Sequence, residues 1–337
     1  MEIENFCKRL PKIELHAHLN GSLSAASLQK LNCLPKDIVK YQKLINVLPT
    51  EKSLEECFSM FKMAHDAVNN KQSVYLATKY VIEDFYNDNV VYLELRTTPR
   101  SEENMTKVDY IESVVKAIQD CKESIIVKLL LSIDRRHDLK ASQQNMELII
   151  NMKNQYPHII KGVDFSGSPL VGSFNSNLFK QAIDNGLLVT LHCGEVKNVE
   201  EIKQILQFRP NRIGHGTCIH PNYGGSEEIW ELYCTTNIPL ECCLTSNVVC
   251  GTAKNYETHH LQEWIKNALP FTLSTDDKGV FGTNLSKELR LAVQHLNLTH
   301  EDLWKITFDS INYTFATEEE KTILKRILQE WKLTNHF

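Results

Sequence analysis

Along this chain, apolar residues gather into eight short runs separated by longer stretches in which apolar positions recur every three or four residues. The runs are KIELHAHL (12–19), VVYLELRTTP (90–99), IVKLLLSID (126–134), IKGVDFSG (160–167), LLVTLHCGE (187–195), RIGHGT (212–217), PLECCLTSN (239–247) and FTLSTDD (271–277). Their length and apolar content predict buried strands. The stretches 107–123, 141–155, 174–185, 198–207, 226–236 and 257–268 carry helical periodicity. Alternation of this kind implies parallel pairing through crossover helices. Eight such units over roughly 270 residues match a closed (β/α)8 TIM barrel. An open doubly wound sheet usually carries a glycine-rich first turn; here the first strand ends in HLNGSL, and no GxxxxGK[ST] follows any strand.

Residues 20–89 are too long for one crossover. They predict a helical insert between strands one and two, including the amphipathic LEECFSMFKMAHDAV (54–68), folded over one barrel end. Residues 299–334 predict a helical tail. No Gly/Ser-rich linker or short repeat divides the chain, so residues 1–337 are expected to form one domain.

Composition narrows the function classes. A net charge of −5 gives no footprint for nucleic acid or an anionic membrane, and no apolar run approaches a membrane span. The ten cysteines are scattered without a CxxC pair, and Cys242 and Cys243 are adjacent. This usage points to reduced thiols in a cytoplasmic protein, here expected to act as a monomer.

His16 and His18, two residues apart, share one strand face. Alone, the pair reads equally well as core histidines or as metal ligands. Strand five ends in His192-Cys193-Gly194-Glu195, strand six carries Gly214-His215-Gly216, and strand eight ends in Asp276-Asp277. The C-terminal strand ends of a (β/α) barrel converge on one mouth, so four histidines and three carboxylates are expected in a single cluster there. Imidazoles with a carboxylate suit zinc with an open position for water, and hydrolysis is the natural chemistry. Glu195, three residues past His192, is placed to be a non-ligating acid. His220 and the HHL at 259–261 fall beyond these strand ends and read as structural.

In this order, LPKIELHAHLNGSL, LHCGE, RIGHGT, LTSN and STDDKGVF resemble the metal-dependent adenosine/AMP deaminase family of the amidohydrolase superfamily, over nearly the whole chain. The resemblance implies one zinc ion held by His16, His18, His192 and Asp276, with Glu195 as proton donor to ring nitrogen 1. It implies that His215 orients and helps deprotonate the attacking water, that Asp277 contacts the purine, and that Gly167 lies against the base. Strand four ends without a lysine, so a bridged binuclear site is not expected. The HxE…PCxxC signature of cytidine-deaminase-type enzymes is absent. A catalytically inactive barrel used as a binding module would lack a zinc or proton-transfer residue, and none is lacking.

Adenosine deaminases read HxHLDG where this chain reads His16-Ala17-His18-Leu19-Asn20-Gly21. A carboxylate at position 20 would repel a 5′-phosphate, whereas an amide keeps hydrogen bonding without the charge. Asn20 therefore permits a nucleotide, and the resemblance is nearest to the branch acting on N6-methyl-AMP; adenosine and AMP stay open as alternatives. Arg100, in RTTPR at the end of strand two, offers bidentate phosphate contacts, with Thr97 and Thr98 as further donors. In the matching branch His18, Asn20, His65, Thr97, Thr98, Pro99, Arg100, Asp134, Gly167 and Asp277 line the nucleotide pocket.

Overall fold

The computed structural model describes residues 2–46 and 54–335. All the predicted strands form, as β1 (Lys12–His18), β2 (Val90–Thr97), β3 (Ile126–Asp134), β4 (Ile160–Ser166), β5 (Leu188–Cys193), β6 (Arg212–His215), β7 (Leu240–Cys242) and β8 (Phe271–Leu273). Each pairs in parallel with the next in chain order. The chain continues past β8 and meets β1 again. Asp276 N–H donates to His16 O at 2.7 Å, and His18 N–H donates to Asp276 O at 3.0 Å. Glu14 clips the same seam from within: its carboxyl accepts the amide of His16 and both the amide and hydroxyl of Thr275.

The run 239–247 is not one strand. After β7 the chain turns at Cys243, and Leu244–Val249 form a short helix. Short apolar runs do not distinguish strand from helix by pattern. The buried Glu288 carboxylate decides the matter, accepting the amide of Thr245 at 3.0 Å at the helix start. The stretch 257–268 likewise contains a helix only over Leu261–Lys266. A helix at Ile3–Arg9 and another at Leu285–Leu296 lie outside the predicted elements. The tail is helical over His300–Ser310 and Glu318–Asn335.

Between β1 and β2, the described residues form helices at Ala25–Lys30, Pro35–Ile45, Leu54–Ala67 and Lys71–Asn87; residues 47–53 of the predicted insert lie outside the description. The second and third pack on Lys278–Phe281, the turn of helix that follows β8, with Phe61 against Phe281 at 6.3 Å. The insert therefore covers the C-terminal mouth. Among the described residues, no helix is long and apolar enough to cross a membrane.

Apolar side chains fill the layer between strands and helices, but the barrel interior is charged. Glu241 accepts from Arg96 Nη2 (2.9 Å), Arg212 Nε (2.6 Å) and Thr190 Oγ1 (2.8 Å), all fully buried. Arg212 also bonds Glu94, and Arg96 also bonds Asp164. Burial opposes the charge on Glu241, yet the two guanidinium groups hold its carboxyl well below the usual range. Removing one member of such a network leaves unpaired buried charge, which costs about 3–5 kcal/mol. Glu241→Ala is therefore expected to lose stability of that order in urea unfolding; an unchanged midpoint would show the network to be dispensable.

Candidate active site

The strand ends bring the sequence-predicted histidines and acids to one point. His18 Nε2 lies 3.2 Å from His192 Nε2 and 3.3 Å from Asp276 Oδ1, which is 3.4 Å from His16 Nε2. His215 joins the same buried cluster. Two of these residues sit in the left-handed region, His215 at φ 65° and Asp276 at φ 58°. Non-glycine residues held there cost of order 1 kcal/mol or more each and persist only where their surroundings fix them. In both cases the unusual backbone turns a strand-end side chain into the mouth.

A divalent cation fits this donor set. Tetrahedral zinc with bonds of about 2.0–2.1 Å separates neighbouring ligand atoms by about 3.3–3.4 Å, which matches the spacing of the His18, His192, His16 and Asp276 atoms. His16 Nε2 is buried without a hydrogen-bond partner. Its other nitrogen, Nδ1, donates to Glu241 at 2.6 Å, and His192 Nδ1 donates to Asp164 at 3.0 Å. A carboxylate behind each imidazole fixes the tautomer that leaves Nε2 free to ligate. Burial, opposed by Asp276, pushes His18 down to about 3, so the His18 ring is neutral. Ser246 donates to the second oxygen of Asp276 at 2.7 Å, orienting the carboxylate.

Glu195 lies at the rim of the cluster, with Oε2 3.8 Å from His215 Nε2, and burial raises its carboxyl above the ordinary range. Asp277 is raised well above its range by burial and then by the charge of Asp276. That direction favours the acid form, which can donate a hydrogen bond. Space for it is made by Gly21: a Cβ there would lie 1.6 Å from Asp277 Oδ1. Gly214 plays the matching part for His16, whose Cε1 would lie 2.8 Å from an added Cβ.

The residues expected to line a nucleotide lie at the ends of β1, β2, β3 and β4 and in the insert. Asn20 is nearly buried with its Oδ1 unpartnered, beside the Tyr110 hydroxyl, which in turn shares a hydrogen bond of 2.7 Å with Thr97. Thr98 is half-buried and Pro99 buried next to them. Arg100 is not a free cation: it donates to the main-chain oxygens of His65 (3.1 Å) and Val68 and to Glu102 (3.0 Å). It thereby ties strand end β2 to the end of the Leu54–Ala67 helix, where the His65 side chain is exposed. Asp134 pairs with Arg136 at 2.5 Å and abuts Gly167, at φ 105°.

Several contributing residues were not among the candidates: Glu241, Asp164, Ser246 and Asn247, whose Nδ2 meets His215 Nδ1 at 3.3 Å. A signal for the first two exists. A lone acid inside a buried apolar run, as in VDF or PLEC, is costly unless paired, and so points to a hidden partner. His259 and His260 are buried and hydrogen-bonded to Asn247 and to His215 O. His220 accepts from Asn222 N–H and packs on Trp230.

The adenosine deaminase family profile matches residues 11–331. N6-methyl-AMP deaminase of Danio rerio is 39% identical over 98% of each chain, and that of Homo sapiens is 38% identical over 96% of this chain and 93% of the human protein. The crystal structure of Arabidopsis ADAL complexed with IMP superposes with a TM-score of 0.87 at 35% identity, covering 99% of this chain and all of that one.

Gly21→Ala is expected to displace Asp277 while the fold persists, lowering kcat at least about tenfold, since 1.4 kcal/mol of misplacement suffices for that. Circular dichroism alongside the rate separates this from misfolding; full activity would remove Gly21 from the site.

Proposed function

The chain belongs to the adenosine deaminase family and is a hydrolytic deaminase, and we propose that it uses zinc to convert N6-methyl-AMP and water to IMP and methylamine. The observation that carries the nucleotide assignment is Asn20, an uncharged amide with a buried, unpartnered Oδ1 beside Thr97 and Tyr110. The named activity of the zebrafish and human relatives and the IMP held by the Arabidopsis relative support the same reading. Ten free cysteines fit a reducing, cytoplasmic setting.

Bound by His16, His18, His192 and Asp276, zinc supplies Lewis-acid activation of water near neutral pH. Everything else is done by side chains. Asp277, its carboxyl raised by burial beside Asp276, contacts the purine. Glu195, its carboxyl raised by burial, gives a proton to ring nitrogen 1 as water adds at carbon 6. The proton water loses restores the Glu195 acid, and the hydroxyl proton of the adduct passes to the nitrogen of the departing methylamine as the carbon–nitrogen bond breaks. Gly167 and Asp134 border the base and ribose, and Thr97 and Thr98 offer donors to the phosphate. Arg100 acts mainly by holding the insert over the mouth, since two of its three nitrogens are already engaged.

Rates of the zinc-loaded enzyme on N6-methyl-AMP, AMP, N6-methyladenosine and adenosine test the assignment. N6-methyl-AMP should be fastest, and turnover of the nucleosides alone would sink it. Asn20→Asp should raise KM for the nucleotide about tenfold or more while sparing nucleosides, because unit charges 4 Å apart near a protein surface repel by about 4 kcal/mol.

The acid form of Glu195 is the active one and its folded pKa is raised. The rate should therefore hold below that pKa and fall as pH rises through it. Glu195→Gln should lower kcat about 10²–10⁴-fold and flatten that limb of the pH profile; a retained limb would assign it to another group.

A further inference from the structure

His215 is surrounded by a chain of hydrogen bonds whose direction can be read from one end. Leu261 N–H donates to His259 Nδ1 at 3.1 Å. A backbone amide can only donate, so Nδ1 of His259 carries no proton and the ring's single proton is on Nε2. That nitrogen lies 3.2 Å from Asn247 Oδ1, to which it donates. The oxygen end of the amide is thereby fixed, and the Asn247 NH2 faces His215 Nδ1 at 3.3 Å and Thr252 Oγ1 at 3.3 Å. Thr252 agrees with this polarity, since its hydroxyl proton goes to Asn247 O at 3.2 Å. The reversed amide would set an NH2 against the His259 Nε2–H, two donors face to face. His259 and Asn247 are both buried, so no solvent relieves that clash.

From this we infer that His259 and Asn247 are positioning residues that hold His215 as the Nε2–H tautomer, making it a hydrogen-bond donor into the site and neither a metal ligand nor the acceptor of water's proton. The same polarity sorts the crowded imidazoles. His16 and His192 each donate from Nδ1 to a carboxylate, which bares Nε2 for a cation. His215 accepts at Nδ1 from an amide, which puts its proton on Nε2 although that atom shares the cluster. Its Nε2–H points toward the Glu195 carboxyl, 3.8 Å away, across the gap where an oxygen nucleophile would sit. The inference rests on the deaminase reading for what His215 acts upon; the tautomer itself does not depend on the substrate.

The test is a long-range proton–nitrogen NMR correlation of the histidine-¹⁵N-labelled, zinc-loaded protein without substrate, with His215 assigned by the signals lost in His215→Gln. The expected spectrum shows His215 with Nε2 protonated and Nδ1 an unprotonated acceptor. A proton on Nδ1, a doubly protonated ring or a metal-shifted Nε2 would overturn the inference, whichever purine the enzyme prefers. In Asn247→Asp the carboxylate accepts from both imidazoles, so His215 should switch to the Nδ1–H tautomer. Loss of one donor aimed at the reacting oxygen then lowers kcat about 10²–10³-fold with KM nearly unchanged. A switched tautomer with unchanged kcat would overturn the donor role. Should that variant fail to fold, the wild-type spectrum still decides the tautomer.

Discussion

The active site hangs on the carboxylate of Glu241. It is fully buried and accepts from Arg96, Arg212, Thr190 and His16. A buried anion survives there only because two guanidinium groups and two further donors satisfy it, and those donors come from β1, β2, β5 and β6. Strand positions and imidazole orientation are therefore coupled. The contacts that hold the barrel interior together also turn His16 Nε2 into the mouth. Asp164, on β4, repeats the arrangement, joining Arg96, Ser132 and His192. An apolar interior could close the same barrel but would leave these rings free to rotate.

Closure and chemistry share a residue. Asp276 completes the pairing of β8 with β1 through its backbone, with φ at 58°, while its side chain faces His16 and His18. Ser246 and Asn247, neighbours on the short helix after β7, reach Asp276 and His215 respectively. A strand through the same residues would send the two side chains to opposite faces. The helix, started by Glu288, lets both serve one site. The side proposed for the nucleotide is built differently, on strand ends fastened to the insert by Arg100, so its shape depends on where the Leu54–Ala67 helix rests.

Much of this was legible along the chain. The eight apolar runs gave strands at their predicted starts, within a residue, because parallel strands buried on both faces carry a strong local signal. The convergence of His16, His18, His192, His215, Asp276 and Asp277 followed from barrel geometry alone. Less legible were short elements. LTSN reads as a strand continuation because nothing within it announces Glu288, 40-odd residues on, as the partner of the Thr245 amide. Arg100 in RTTPR looks like a free phosphate ligand in sequence, since the carbonyls it meets belong to an insert whose placement no local pattern encodes.

The sequence by itself determined the element order, the metal-binding residue types and the uncharged amide at position 20, because each is written in side-chain identity and short-range spacing. Tertiary structure alone decided which nitrogen of each imidazole faces the mouth. That choice depends on Glu241, Asp164 and Asn247, which lie far along the chain from His16 and at least 28 residues from their own partners. Hydrogen-bond polarity passes between such residues only once the barrel has closed and excluded water from around them.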